Sequence, residues 1–286
     1  MKILITGGSG FLGSHVADEL TKKGHIVTIF DIKKSKWINK KQNFIKGNIR
    51  DLKKLSSAIR GKDIIYHFAA LADLDEAKKK PVETIEVNVL GTANLLHLSK
   101  KHKIKKFIYA STIYVVSEDG GFYRSSKKAS EDYIEEFQKT YGLNFTILRF
   151  GSLYGPRADN NNGVRKLIQR AIKNKKLSYE GSKNAVREYI NVKDAAKISA
   201  EILKKKFINQ HLILTGRKKI KVKFLLSSLA KILKIKKKIS FYDKDYTGHY
   251  VKTPYTYKPK MGKKVFSSSH RNFLSDLKKL TKELKN

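Results

Sequence analysis

The chain has 286 residues, 40% of them hydrophobic, enough for one large α/β unit and a smaller lobe. It has no cysteine, which excludes disulfides and thiolate metal sites and fits a reducing, cytoplasmic compartment; no metal site is expected. Lysine and arginine total 62 against 25 acids, a net charge of +37, but the lysines are spread along the whole length, often in pairs such as Lys22-Lys23 and Lys53-Lys54. That pattern describes a dispersed basic surface that would steer an acidic substrate inward, not a nucleic-acid module. No apolar stretch approaches the ~20 residues that a membrane-spanning helix needs.

The first segment opens on Ile3-Leu4-Ile5, a buried strand; no cleavage-site pattern follows that would make it a leader peptide. Gly7, Gly10 and Gly13 come next, and Gly8-x-Gly10-x-x-Gly13 fits the dinucleotide fingerprint. A helical pattern (Val16, Ala17, Leu20) stops at Gly24, and a second strand, Ile26 to Phe30, ends on Asp31. Glycine permits the sharp turn from strand to helix and a close approach of pyrophosphate to the backbone. The helix N-terminus supplies free N–H groups and a partial positive charge. Asp31 stands where an acid accepts both ribose hydroxyls of an adenosine, which favours NAD over NADP; Lys33 and Lys34 weaken that preference.

A short strand, Asn43 to Ile45, and a helix through Leu52, Leu55 and Ile59 lead to a buried strand, Ile64 to Ala70. His67 in that strand reads as a core histidine. Pro81 opens a long helix through Asn88, Gly91 and Leu95, and Asn88 on its apolar face is expected to hold a neighbouring loop. Phe107 to Thr112 is the next strand. The alternation predicts a parallel sheet with sites at the C-terminal ends of its strands: the glycine loop, Asp31, Ala69-Ala70 and Ser111-Thr112. Tyr123 and Lys127 then fall on one face of the following helix. A neighbouring ammonium is expected to lower the pKa of the phenol, so that Tyr123 acts as general base toward a hydroxyl and as acid in reverse. Thr112 or Ser111 would bond the same substrate oxygen.

These segments resemble the extended short-chain dehydrogenase/reductases, in particular the NAD-dependent nucleotide-sugar epimerase/dehydratase family. The matching stretches are Thr6 to Gly13, His67-Phe68-Ala69-Ala70, Asn88 to Thr92, Ala110-Ser111-Thr112, Tyr123 to Lys127, Leu148-Arg149-Phe150, Leu153 to Arg157 and Val186 to Ile190, in family order. The resemblance implies that Gly7, Gly10, Phe11, Leu12, Gly13 and Asp31 hold NAD. It sets Asn48 and Ile49 beside adenine, and Phe68, Ala69, Ala70 and Phe150 along the cofactor with Asn88 in support. It makes Thr112, Tyr123 and Lys127 the catalytic hydroxyl, phenol and amine, the last two also touching the cofactor. It assigns Ser111, Thr112, Ser152, Arg157 and Arg187 to a nucleotide-diphosphate sugar, with the guanidinium of Arg187 at the pyrophosphate. It also implies a homodimer through the helices around Asn88 and Tyr123.

Three departures from the family pattern stand out. Ile113-Tyr114 replace the acidic pair that dehydratases carry after the catalytic Thr. Only residues 113–122 separate Thr112 from Tyr123, a short span for this family, and Ser152 replaces the usual Asn.

In the second half, Asn144 to Arg149 reads as a strand, and Asp159 to Gly163 as a polar loop that is either a lid or a helix entry. A helix follows from Val164 to Ile172, then a strand from Leu212 to Thr215. Two more helices run from Phe224 to Leu233 and through Leu274, Leu277, Leu280 and Leu284. The Tyr- and Lys-rich stretch 241–272 has no assignment. The expected architecture is a Rossmann-type, doubly wound parallel sheet (residues 1–160, completed by segments near 185–216) with a smaller C-terminal substrate-binding lobe (161–286). The expected activity is epimerisation of a nucleotide sugar through a transient keto intermediate. The alternatives are an NAD(P)H-dependent 4-keto-sugar reductase and an NAD-binding protein without turnover.

Overall fold

A computed structural model describes residues 1–236, 239–242, 263–266 and 271–285. Most of the unassigned stretch 241–272, including Pro254 and Pro259, lies outside the described residues.

The first half runs β1 (Lys2–Thr6), α1 (Phe11–Lys22), β2 (Ile26–Asp31), β3 (Asn43–Lys46), α2 (Leu52–Ile59), β4 (Ile64–His67), α3 (Leu74–Lys79) and α4 (Pro81–Ile85). A π turn over Glu86–Leu90 joins α4 to α5 (Gly91–Lys101), followed by β5 (Lys106–Thr112), α6 (Gly121–Tyr141), β6 (Phe145–Phe150) and β7 (Ser152–Tyr154). The second half comprises α7 (Gly163–Asn174), β8 (Ser178–Glu180), β9 (Val186–Arg187), β10 (Tyr189–Asn191), α8 (Val192–Glu201), β11 (Gln210–Leu214) and β12 (Ile220–Lys221). It closes with α9 (Val222–Ile232), β13 (Ser240–Tyr242), β14 (Lys263–Lys264) and α10 (Phe273–Glu283).

Eight strands form one sheet in the order β14-β11-β6-β5-β4-β1-β2-β3, every pair parallel. Strand alternation divides its side chains between two cores. Ile3 and Ile5 pack under α1 and α8 with Val16, Leu20, Ala195 and Ile198. Leu4, between them in sequence, packs on the other face with Leu55, Leu95, Leu96 and Ile134 from α2, α5 and α6. Both faces are therefore covered, as a parallel sheet requires. The chain order reverses direction between β1 and β4, and the crevice there is the fold's ligand position.

A third core joins α7, α9 and α10 through Ile168, Leu225, Leu229, Leu277 and Leu280. Of the segments near 185–216, Gln210–Leu214 enters the large sheet, whereas β9 pairs with β12 and β10 with β7 outside it. β14 adds an edge strand that carries no hydrophobic pattern in sequence.

The long helix opened by Pro81 is not uniform. Over Glu86–Leu90 it widens into a π turn, a distortion that concentrates at functional sites. Asn88, 1% exposed, sits at its centre. Its Oδ1 accepts from the Leu71 N–H (2.8 Å), and its Nδ2 donates to the Leu71 carbonyl (3.0 Å) and to Ser126 Oγ on α6 (2.9 Å). All three bonds are made away from its own helix. Asn88→Ala leaves both Leu71 backbone groups buried without partners, a loss of about 3 kcal/mol. Urea denaturation is expected to show a lower midpoint with an unchanged m-value.

Candidate active site

The glycine loop is built by close backbone approach. Gly7 has φ +72°, and a Cβ there would stand 2.5 Å from the Ala69 nitrogen. A Cβ on Gly13 would stand 2.2 Å from the Gly7 carbonyl oxygen, so α1 begins as close to the end of β1 as a backbone allows. Gly8, outside the Gly7, Gly10, Gly13 spacing, is held for packing: its Cβ would meet Ile29 Cγ2 at 2.8 Å. The Gly7 N–H bonds Phe30 O (3.0 Å), and Gly10 caps α1 with Phe11 and Leu12 in its first turn. Asp31 closes β2 beside the loop. Its Oδ2 accepts from the Ser9 N–H (3.0 Å) and its Oδ1 from the Lys33 N–H (3.3 Å), while burial raises its pKa above the usual carboxylate value. Ser9 Oγ is buried without a hydrogen-bond partner. A loop stripped of side chains, a helix N-terminus and an orphaned hydroxyl together fit the diphosphate of a dinucleotide.

Across the crevice lie Phe68, Ala69 and Ala70, all half-buried. The Ala69 N–H donates to Thr6 Oγ1 (3.4 Å). His67 is a core residue, 1% exposed. Its Nδ1 meets Thr6 Oγ1 (2.7 Å) and its Nε2 meets Thr92 Oγ1 (2.9 Å). Burial, with the nearby Lys127 ammonium, holds its pKa well below the usual histidine value, so it is neutral. Asn48 orders the turn before α2, its Oδ1 accepting from the Arg50 N–H (3.0 Å). Ile49 differs from expectation: its side chain points into the core, because the glycine at position 91 leaves room for it.

Gly120 and Gly121, with φ of +94° and +50°, launch α6. Tyr123 therefore sits in the first turn of α6, at the positive end of the helix, a placement that supports a phenolate. Lys127 lies one turn on. Its Nζ donates to the Ala110 carbonyl (2.8 Å) and lies 4.6 Å from the Tyr109 ring centroid and 5.9 Å from that of Tyr123. The expected lowering of the phenol pKa is not found in the protein alone. Desolvation raises Tyr123 well above the usual tyrosine value and pulls Lys127 down to about 7. Burial disfavours both charged forms, and it outweighs the attraction between them.

Strand alternation decides between the two hydroxyls. Ser111 is corrected from substrate contact to structural residue: its Oγ donates to Glu131 Oε1 (2.5 Å) and is buried. Thr112 takes the opposite face. Its Oγ1 accepts from the Tyr114 N–H (3.3 Å), and it lies in register with Phe150 on β6. Arg157 is also corrected. It pairs with Asp18 of α1 (2.8 Å) and its guanidinium stacks 4.9 Å over Trp37, so it fastens the segment after β7 to α1. Ser152 begins β7 opposite Tyr189, and Arg187 is 7% exposed on β9, Nη1 donating to Val186 O (3.1 Å). A cavity of about 490 Å³ opens in the C-terminal lobe among Tyr154, Tyr189, Asp194, Phe224 and Phe273; neither the glycine loop nor Tyr123 lines it.

A family model described as the NAD dependent epimerase/dehydratase family matches residues 3–213. The chain belongs to this family. It is 33% identical over 217 residues to a putative UDP-glucose 4-epimerase of Methanocaldococcus jannaschii, covering 68% of this chain and 71% of that protein. It is 32% identical over 241 residues to a dTDP-D-glucose 4,6-dehydratase of Dictyostelium discoideum, covering 71% of this chain and 56% of that protein. In fold it matches the crystal structure of a UDP-glucose 4-epimerase with UDP-glucose from Thermotoga maritima, with a TM-score of 0.87 at 24% identity over 100% of this chain and 99% of that one.

Sequence reading missed three contributors: Gly8, Glu131 and the π turn. Gly8 was visible as a member of the Gly8-x-Gly10-x-x-Gly13 fingerprint, but its packing against Ile29 was not. Glu131 was visible as an acid one turn past Lys127 on the same helical face. Gly13→Ala drives a methyl into the Gly7 carbonyl and is expected to cost about 1–3 kcal/mol of stability. It is also expected to weaken NAD binding, read by calorimetric titration beside a denaturation curve.

Proposed function

We propose that the protein is an NAD-dependent epimerase of a nucleotide-diphosphate sugar. The observation that carries this reading is the convergence, at the C-terminal edge of one parallel sheet, of the glycine cradle after β1 with Thr112 at the end of β5 and Tyr123 and Lys127 in the opening turns of α6.

Bound NAD would supply a two-electron acceptor and, once reduced, a donor. The chain's own groups do the rest. Thr112 holds the sugar hydroxyl that reacts. Tyr123 Oη takes that hydroxyl's proton as the carbon becomes a ketone, and returns it when the opposite face of the ketone is reduced. The Lys127 ammonium and the N-terminus of α6 favour the phenolate that this exchange needs. Gly7, Gly10 and Gly13 with Asp31 hold the adenosine and diphosphate half, and Arg187 and Ser152 are assigned to the substrate nucleotide.

The rim supports epimerisation over dehydration. Loss of water from the sugar needs an acid–base pair beside the hydroxyl that leaves. Here Ile113 is 2% exposed and packs on Ile213, and Tyr114 packs over Gly120. Neither supplies a carboxylate.

Val82, Ile85, Leu90 and Phe122 are exposed on α4, the π turn and α6, which pack side by side. They support a homodimer through these helices, and sedimentation equilibrium is expected to give twice the monomer mass.

Purified protein is expected to interconvert a UDP-hexose pair by NMR without added cofactor. A strict requirement for external NADH would replace this reading with the reductase. Tyr123→Phe is expected to lower turnover at least a thousandfold, by loss of acid–base catalysis and orientation, while leaving NAD binding intact. Full activity in that variant would remove Tyr123 from the mechanism.

A further inference from the structure

α6 carries a buried acid that the mechanism above does not use. Glu131 is 3% exposed and stands one turn beyond Lys127, two beyond Tyr123, on the same face of the helix. Its carboxylate reaches three adjacent strands. Oε1 accepts from Ser111 Oγ on β5 (2.5 Å) and from Arg149 Nε on β6 (3.1 Å). Oε2 accepts from Arg149 Nε (3.2 Å) and Nη2 (2.6 Å), with His211 Nε2 of β11 at 4.0 Å. The residues it grips precede two buried groups at the C-terminal ends of β5 and β6. Ser111 is followed by Thr112, and Arg149 by Phe150, and Thr112 and Phe150 are register partners.

Stability alone does not account for such a cluster. A buried ion pair loses most of its Coulombic gain to desolvation, and well-packed apolar residues of similar volume are often as stable or more so. What the cluster does supply is a fixed relation between a helix and two strand ends, together with a negative field beside Lys127. The groups around the lysine amine are the Ala110 carbonyl and Tyr109 ring of β5, Tyr123 and Glu131 on α6, and the neutral His67 of β4. Those around the Glu131 carboxylate are Ser111, Arg149, His211 and, one turn along α6, the half-buried Glu135, 3.0 Å from His211.

We propose that Glu131 is a positioning residue for the Tyr123–Lys127 pair: its carboxylate is the counter-charge that keeps the Lys127 amine protonated and the anchor that sets the end of β5, hence Thr112, against α6. The inference deepens the epimerase reading and rests on it for the roles of Tyr123, Lys127 and Thr112.

The sign of the electrostatic effect is fixed. Burial lowers Lys127 to about 7, and the Glu131 field opposes that fall. Glu131→Gln removes the opposing field and leaves the Arg149 and Lys127 cations buried without it, so Lys127 loses its proton at lower pH.

The test is a titration that needs no turnover. In full-length protein labelled with ¹³Cε-lysine, the Lys127 resonance is assigned through Lys127→Arg and followed against pH. The expected result is a midpoint near 7 in the wild type, moved down at least about one unit, a tenfold change in the proton equilibrium, in Glu131→Gln. An unchanged midpoint in folded Glu131→Gln overturns the proposal. Glu131→Asp keeps the charge but not the reach, and serves also where Glu131→Gln does not fold. Its midpoint is expected to stay within half a unit of the wild type while kcat falls at least tenfold with KM for the sugar unchanged; full kcat overturns the anchoring role. A wild-type protein that turns over no nucleotide sugar, yet shows a Glu131-dependent Lys127 midpoint, would sink the epimerase reading and leave the Glu131 coupling standing.

Discussion

The peptide at Asn88 is the joint between the two halves of the site. On one side a directed run of buried hydrogen bonds leads back to the glycine loop's strand. Thr92 Oγ1 donates to the Asn88 carbonyl (2.5 Å), so it accepts from His67 Nε2–H; His67 Nδ1 then accepts from the Thr6 hydroxyl, which itself accepts from the Ala69 N–H. Only one neutral tautomer of His67 satisfies every member, and burial enforces that neutrality. On the other side, the Asn88 amide holds Ser126, and Ser130 donates to the Asn88 carbonyl (2.9 Å), which docks the helix bearing Tyr123 and Lys127. In the π turn that carbonyl accepts from the hydroxyls of Thr92 and Ser130, and so joins β1 to α6 through one buried network.

This arrangement explains which parts of the site were legible in sequence. The glycine loop and Asp31 were, because their spacing is imposed by covalent geometry within one strand–turn–helix unit. The Tyr123–Lys127 pair was, because helical periodicity alone puts both on one face. Ser111 against Thr112 was not. Adjacent strand residues point to opposite faces, and which face belongs to the crevice depends on where α6 packs, a tertiary fact. Arg157 was misread for the same reason. Its family position suggested a substrate contact, but Asp18 and Trp37, distant in sequence, fold up against it.

The fold shows the same division. Strands with continuous or alternating apolar runs were readable, because burial on both faces of the sheet writes hydrophobicity into most positions of β4 and β6, His67, Thr146 and Arg149 excepted. β14, a pair of lysines, is held by pairing with the edge of β11 and by the Lys264 ion pair with the buried Glu188 (2.8 Å), neither of which an apolar pattern would reveal. α3 is short and mostly charged, and it is specified by its Asp73 cap, bonded to the Glu76 N–H (2.8 Å), more than by an apolar face.

The ionisation state of the Tyr123–Lys127 pair follows from competition between burial and mutual attraction. The sequence suggested that ammonium and phenol stabilise each other as an ion pair. The structure separates the Lys127 amine from the Tyr123 ring by 5.9 Å and turns it toward the Ala110 carbonyl, so the mutual attraction is weaker than the desolvation each suffers. Without further positive charge the phenol keeps its proton at neutral pH and the amine is close to losing its own. A site built this way does not hold a standing phenolate. Under the proposed epimerase reading, Tyr123 becomes a competent base when another cation enters the same low-dielectric crevice, which would tie proton abstraction to a loaded site.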